Sequence, residues 1–202
     1  MPTLRRFRTR SPPRANPPVN EVSAIVALIG APGAGKTRTG RRIAKLLRVP
    51  FIDTDRRVVD AHGPIAAIFE KHGEQVFRSF ERAAVAAALR EPAVVTLGGG
   101  AVLDSDTQLD LSATKVVQLT VSADAVSARI ADGKRPLLSG GVTAWSELVA
   151  VRRPTYDRLS QLTIDTSGQP LDKIAQQIVD WLQVGTTGAG LARAADSRED
   201  SV

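Results

Sequence analysis

Apolar residues along this chain fall into short, nearly continuous runs separated by longer stretches in which they recur at three- and four-residue spacing. The run Val22 to Ile29 predicts a strand buried on both faces, and Phe51-Ile52, Ala93 to Leu97, Lys115 to Val121 and Leu162 to Asp165 predict four more strands. Lys36 to Arg48, with Ile43, Leu46 and Leu47 on one side, predicts a helix, as do Pro64 to Lys71 and the alanine-rich stretch Glu74 to Arg90. Further helices are predicted over Ser122 to Ala131, with Ser122 as N-cap, over Thr143 to Arg152 and over Leu171 to Leu182. Strands alternating with helices predict an α/β fold of three layers, a central five-stranded parallel sheet with helices on both faces. Ligands of such sheets sit beyond the carboxyl ends of the strands. Three glycine- or acid-rich segments, Gly30 to Gly35, Asp53 to Asp55 and Gly98 to Gly100, follow predicted strands and therefore share one edge of the sheet.

The first of these segments carries recognisable chemistry. Gly30-Ala31-Pro32-Gly33-Ala34-Gly35-Lys36-Thr37 satisfies G-x-x-x-x-G-K-[ST] between a strand and a helix, the context that a phosphate-binding loop requires. A loop without bulky side chains lets backbone N–H groups converge on phosphate oxygens beside the positive end of a helix dipole. Lys36 is then expected on the β- and γ-phosphates and Thr37 on Mg²⁺, so the chain is expected to bind ATP or GTP. The loop alone does not name a reaction. No N-K-x-D base-reading motif of GTPases is present, and 202 residues are few for a large ATPase, so a small-molecule or nucleotide kinase fits best.

Composition narrows the setting. The chain has no cysteine, which excludes disulfides, thiolate catalysis and Cys-based zinc sites and agrees with a reducing cytoplasm. No apolar run approaches the roughly 20 residues that span a bilayer, and residues 1–20 hold no apolar signal core. The net charge of +6 is local: Arg5, Arg6, Arg8, Arg10 and Arg14 leave 22 of the 27 basic residues against 21 acids elsewhere. The remainder is near neutral, and no nucleic-acid partner is expected. With five prolines, residues 1–20 read as a disordered, solvated tail. A transit peptide, which this proline density opposes, and an anion-binding arm are the alternatives. Residues 21–184 are expected to form one domain, and 185–202, small and polar, a flexible tail.

The segments beyond the phosphate loop suggest an acceptor site. Asp53-Thr54-Asp55 ends a strand, so its carboxylates are expected to face the loop, one holding a water of the Mg²⁺ shell and one free for an acceptor hydroxyl; a turn or helix cap is the alternative. In Phe77-Arg78-Ser79-Phe80-Glu81 the arginine and glutamate are i,i+3 neighbours. The flanking aromatics suggest a partly buried guanidinium available to a carboxylate, against the commoner surface ion pair. Gly98-Gly99-Gly100 brings bare backbone towards something bound, unless it is a flexible bend. Arg135-Pro136-Leu137-Leu138 sits in a glycine-flanked loop expected to be mobile, and Arg152-Arg153-Pro154-Thr155-Tyr156 adds two cations just after a predicted helix.

Taken in order, G-x-P-G-A-G-K-T, D-T-D, F-R-x-x-E, G-G-G, R-P-L-L and R-x-P-x-Y resemble the shikimate kinase family over residues 22–183. The resemblance implies a P-loop kinase fold with a lid over about 128–141, a monomer, ATP and shikimate as substrates, and Mg²⁺. It implies that Asp55 binds shikimate hydroxyls and takes the reacting proton, and that Arg78 and Arg152 clamp the carboxylate. Glu81 would steady Arg78, and Gly98, Gly99 and Gly100 would offer backbone donors. Gly33, Ala34, Gly35, Lys36, Thr37, Arg38, Arg129, Arg135 and Gln169 would form the nucleotide site, with Thr37 and Asp53 towards the metal. Lys36 and Arg135 would act on the transferring phosphoryl. Several positions depart from the family pattern. Arg38 replaces a small hydroxyl residue, the lid is about one residue shorter before Arg135, and Asp165 to Pro170 lacks an arginine often found beside adenine. Residues alone leave open whether Arg152 or Arg153 is the clamp.

Overall fold

The computed structural model describes residues 23–130 and 141–196, the side chains of 129, 130 and 185–196 excepted. Five strands, β1 (Val26–Gly30), β2 (Phe51–Asp53), β3 (Val94–Thr96), β4 (Val116–Thr120) and β5 (Leu162–Asp165), form one sheet in the order β2-β3-β1-β4-β5. All four ladders are parallel, as expected, so every strand ends on the same edge.

Period-two alternation divides β1 between two cores. Ala27 and Ile29 pack with Val95, Leu97, Val85 and Tyr156, whereas Val26 and Leu28 pack with Ile43, Val117, Ile174 and Ile178. Helices α1 (Lys36–Leu47) and α7 (Leu171–Asp196) thus cover one face. The other is covered by α3 (Ile65–Ala88), α4 (Ser105–Leu111) and α6 (Gly141–Leu159). Each fully buried aliphatic of β1 contributes roughly 2 kcal/mol, which makes this central strand a rigid base for the loop that follows it.

Two helices escape the apolar pattern. α2 (Thr54–His62) is largely polar and buries Val58 on its one apolar stretch; its start is set by Asp53, whose Oδ1 accepts from Arg56 N at 3.2 Å. α4 likewise starts on an Asp104 cap, 2.8 Å from Thr107 N, after a 3-10 turn over Ala101–Leu103. The break predicted between Lys71 and Glu74 is a kink at Gly73 (φ 80°) within α3. α5 (Ala123–Ile130) begins at Ser122, whose Oγ accepts from Ala125 N at 3.2 Å.

α6 corrects an expectation. Arg152 to Tyr156 lie inside it, Pro154 included, and not after a helix that stops at Arg152. α7 also runs past its predicted end at Leu182 to Asp196, through a second helix-forming stretch, Leu191 to Ala195. Its buried side chains, among those described, stop at Leu182. No described helix is long and apolar enough to cross a membrane. The 1–20 tail and residues 131–140 of the expected lid lie outside the described residues.

Candidate active site

The phosphate loop leaves β1 at Gly30 and enters α1 at Gly35, with Gly33 (φ 87°) and Gly35 (φ 83°) in the left-handed region that glycine tolerates best. Gly35 is the N-cap of α1 and supplies no side-chain acceptor, so the first N–H groups of that helix are not capped by a side chain. Ala34 is buried and Arg38 points out to solvent from the first turn of α1. Lys36 Nζ lies back across the loop, donating to the carbonyls of Gly30 at 2.8 Å and Ala31 at 3.1 Å. Thr37 Oγ1 donates to Asp53 Oδ2 at 2.7 Å. Asp53 thus combines both of its sequence readings, capping α2 with one oxygen and facing the loop with the other. Among the described residues no group of three or more His, Cys, Asp or Glu converges. The adjacent hard oxygens of Thr37 and Asp53 fit a Mg²⁺ ion, which binds through few protein ligands.

Asp55 sits in the first turn of α2 and faces the glycine turn after β3. A Cβ on Gly98 would overlap Asp55 Oδ1 and lie 2.7 Å from Glu81 Oε1; one on Gly100 would lie 2.6 Å from Arg78 Nη1. A Cβ on Gly99 would come 3.5 Å from Arg152 Nη1. The three glycines are therefore the floor of a cluster of two carboxylates and two guanidiniums. Gly98→Ala is expected to displace Asp55 or Glu81 by about an ångström. Such a shift costs on the order of a hundredfold in kcat/KM, while nucleotide binding at Gly33–Thr37 persists; steady-state kinetics with nucleotide titration checks it.

Arg78 is held ready. Its Nη1 donates to Glu81 Oε2 at 2.7 Å, its Nη2 to Glu74 Oε1 at 3.0 Å, and its guanidinium lies 5.2 Å from the Phe77 ring centre. Burial works against its charge, but the hydrogen bonds and charges of Glu81 and Glu74 prevail and its pKa is raised. Glu81 is only 4% exposed. Burial pushes its carboxyl up; the Arg78 guanidinium pulls it back, and the nearby Asp55 charge adds to the push. Tyr156 donates its hydroxyl to Gly99 O at 2.6 Å. Burial raises that phenol while Arg152 beside it acts the other way. Arg153 instead reaches outward, 74% exposed and 3.6 Å from Asp157, so of the two neighbouring arginines it is Arg152 that faces the glycines.

Gln169 lies in the turn between β5 and α7, where its Nε2 donates to Asp165 O at 3.0 Å. That turn is fastened to the phosphate loop by Thr166, whose Oγ1 donates to Ala34 O at 3.1 Å. Trp145 does the same from α6, its indole N–H donating to Pro32 O at 2.8 Å. Neither residue belongs to a motif, and no periodicity marks them. The backbone of Arg129 is on α5, its side chain outside the description, and Arg135 is outside the described residues.

A parallel sheet with a lysine-bearing phosphate loop at its centre strand, flanked by an acid and a glycine-floored guanidinium pair, defines a P-loop kinase of small molecules. The shikimate kinase family model matches residues 32–183. The shikimate kinase of Thermobifida fusca is 42% identical over 158 residues, 76% of this chain and 92% of that protein. That of Frankia casuarinae is 42% identical over 161 residues, 78% of this chain and 72% of that protein. Among solved structures, shikimate kinase from Acinetobacter baumannii in complex with shikimate matches with a TM-score of 0.73 at 29% identity, covering 81% of this chain and 94% of that one. The chain belongs to the shikimate kinase family.

Proposed function

We propose that this enzyme transfers the γ-phosphoryl group of ATP to the 3-hydroxyl of shikimate, giving shikimate 3-phosphate and ADP. The observation that carries the reading is the meeting of Asp55, Arg78, Glu81 and Arg152 over Gly98–Gly100, next to the phosphate loop. A flat carboxylate fits paired guanidiniums through parallel hydrogen bonds. Held there, the ring turns one hydroxyl towards the γ-phosphate, within reach of Asp55, and leaves the others to the N–H groups of Gly99 and Gly100, since Gly98 N–H donates to Thr54 Oγ1 at 3.3 Å.

Phosphoryl transfer asks for alignment and charge neutralisation more than covalent help. Asp55 accepts the proton of the attacking hydroxyl as its oxygen bonds to the γ-phosphorus and the bond to the β–γ bridging oxygen breaks. Lys36 leaves the Gly30 and Ala31 carbonyls for the phosphate oxygens, and Arg135, on the proposed lid, adds a second cation. Thr37 and Asp53 would hold Mg²⁺, which would supply further neutralisation of the phosphates. Glu81, held by burial beside Arg78, keeps that guanidinium aimed and does not itself need to touch substrate. The same reading makes the enzyme a cytoplasmic monomer acting in aromatic amino-acid biosynthesis.

A kinase of another polyhydroxy acid such as gluconate would share the phosphate loop and need cations for a carboxylate; the F-R-x-x-E and G-G-G segments argue for shikimate instead. Comparing shikimate with gluconate as acceptor under MgATP tests the assignment; turnover with gluconate alone would overturn it. Arg78→Ala is expected to raise the shikimate KM about ten- to a hundredfold with a smaller change in kcat, since a charge-assisted hydrogen bond is worth roughly 1.5–3 kcal/mol. An unchanged KM would remove Arg78 from the clamp.

A further inference from the structure

Helix α6 has few buried side chains, yet two of them end on the two halves of the site. Trp145 is 4% exposed and packs on Ala31 and Val126, and its indole N–H reaches Pro32 O in the phosphate loop at 2.8 Å. Tyr156, 2% exposed, donates to Gly99 O in the acceptor turn at 2.6 Å. At 100° per residue, positions 152 and 156 fall within roughly 20° of position 145 around the helix axis. Trp145, Arg152 and Tyr156 therefore share one face, with Arg152 between two anchors set about 16 Å apart along the axis at 1.5 Å per residue. The two halves also lie side by side, since a Cβ on Gly99 would lie 3.4 Å from Pro32 Cδ. Val126 of α5 is part of the same contact, and a Cβ on Gly33 would meet its Cγ2 at 3.2 Å.

We propose that Trp145 is a positioning residue: through Pro32 it locks α6 to the phosphate loop, so that Arg152 is set at a fixed distance from the nucleotide. The inference rests on reading Arg152 as part of the acceptor clamp. Trp145 makes no contact with the proposed acceptor; it acts through α6. Its indole N–H is the only hydrogen-bonding group of the side chain, and phenylalanine retains most of the apolar packing on Ala31 and Val126 without it. Loss of that one bond is worth a factor of about three to ten.

The test compares Trp145→Phe with the unsubstituted protein and with Trp181→Phe, the chain's other tryptophan, which lies against Lys115 away from this site. Trp145→Phe is expected to raise the shikimate KM about three- to tenfold while kcat changes less. It should also speed amide hydrogen exchange both in residues 30–35 and in residues 98–100, whereas Trp181→Phe moves neither. General destabilisation alone would lower the active fraction, hence kcat, at constant KM. An unchanged KM, or faster exchange confined to residues 143–147, would overturn the proposal. Failure of the shikimate reading shows separately, as absent shikimate-dependent turnover in the unsubstituted protein, and the exchange comparison then decides on Trp145 by itself.

Discussion

Asp55→Asn is expected to lower turnover about a hundred- to ten-thousandfold, the range that a positioned general base contributes, while ATP binds almost as before. The amide matches the carboxylate in size and hydrogen-bonds to a hydroxyl, so the acceptor still docks, but it cannot take a proton at neutral pH. Asp55 faces Gly98 and Glu81 and is not one of the loop residues Gly33 to Thr37. Removing its charge also lessens the repulsion that helps to raise the pKa of Glu81, so the buried carboxylate beside Arg78 is eased and not orphaned. Single-turnover measurements with saturating shikimate read the chemical step directly. Full activity would exclude Asp55 as the base.

Lys36→Ala is expected to lower kcat and kcat/KM together by about a hundred- to a thousandfold, the pattern of a contact made mainly in the transition state. In the structure the ammonium rests on the Gly30 and Ala31 carbonyls, within the loop that curves around the phosphates. A short swing of a flexible four-carbon stem moves it onto the β- and γ-oxygens, where charge builds as the phosphoryl group transfers. The alanine variant leaves two carbonyls that water can satisfy, so folding should be retained, with melting temperature as the control. A fall in ATP affinity with kcat intact would assign Lys36 to ground-state binding instead.

The centre of the sheet was legible because β1 and β3 are buried on both faces and appear as apolar runs; the edge strands β2 and β5 are only partly buried but short and apolar enough to be placed, with ends differing by a few residues. The phosphate loop and the Arg78–Glu81 pair were legible for a related reason, since each is a local constellation whose spacing fixes its geometry. α2 and α4 were not, because their starts come from the Asp53 and Asp104 caps and their burial is confined to a few positions. Pro154 was misleading at the end of α6: Arg152 to Tyr156 sound like a loop, but the packing of Trp145 and Tyr156 holds the helix through the proline. That Arg152 and not Arg153 faces the glycines follows from the helix phase, which the residues alone left open. Trp145 and Thr166 bond to the phosphate loop across 113 and 132 residues of chain, and contacts that distant leave no local pattern to read.

The central claim is that a phosphate loop and a carboxylate clamp on one sheet edge serve a single reaction. Coupled ADP-release with MgATP, run with and without shikimate and with the product weighed by mass spectrometry, tests it most directly. Shikimate-dependent ADP release, with one phosphoryl group added to shikimate, is the predicted result. ATP binding without any shikimate-dependent release would leave the phosphate loop standing and contradict the acceptor assignment.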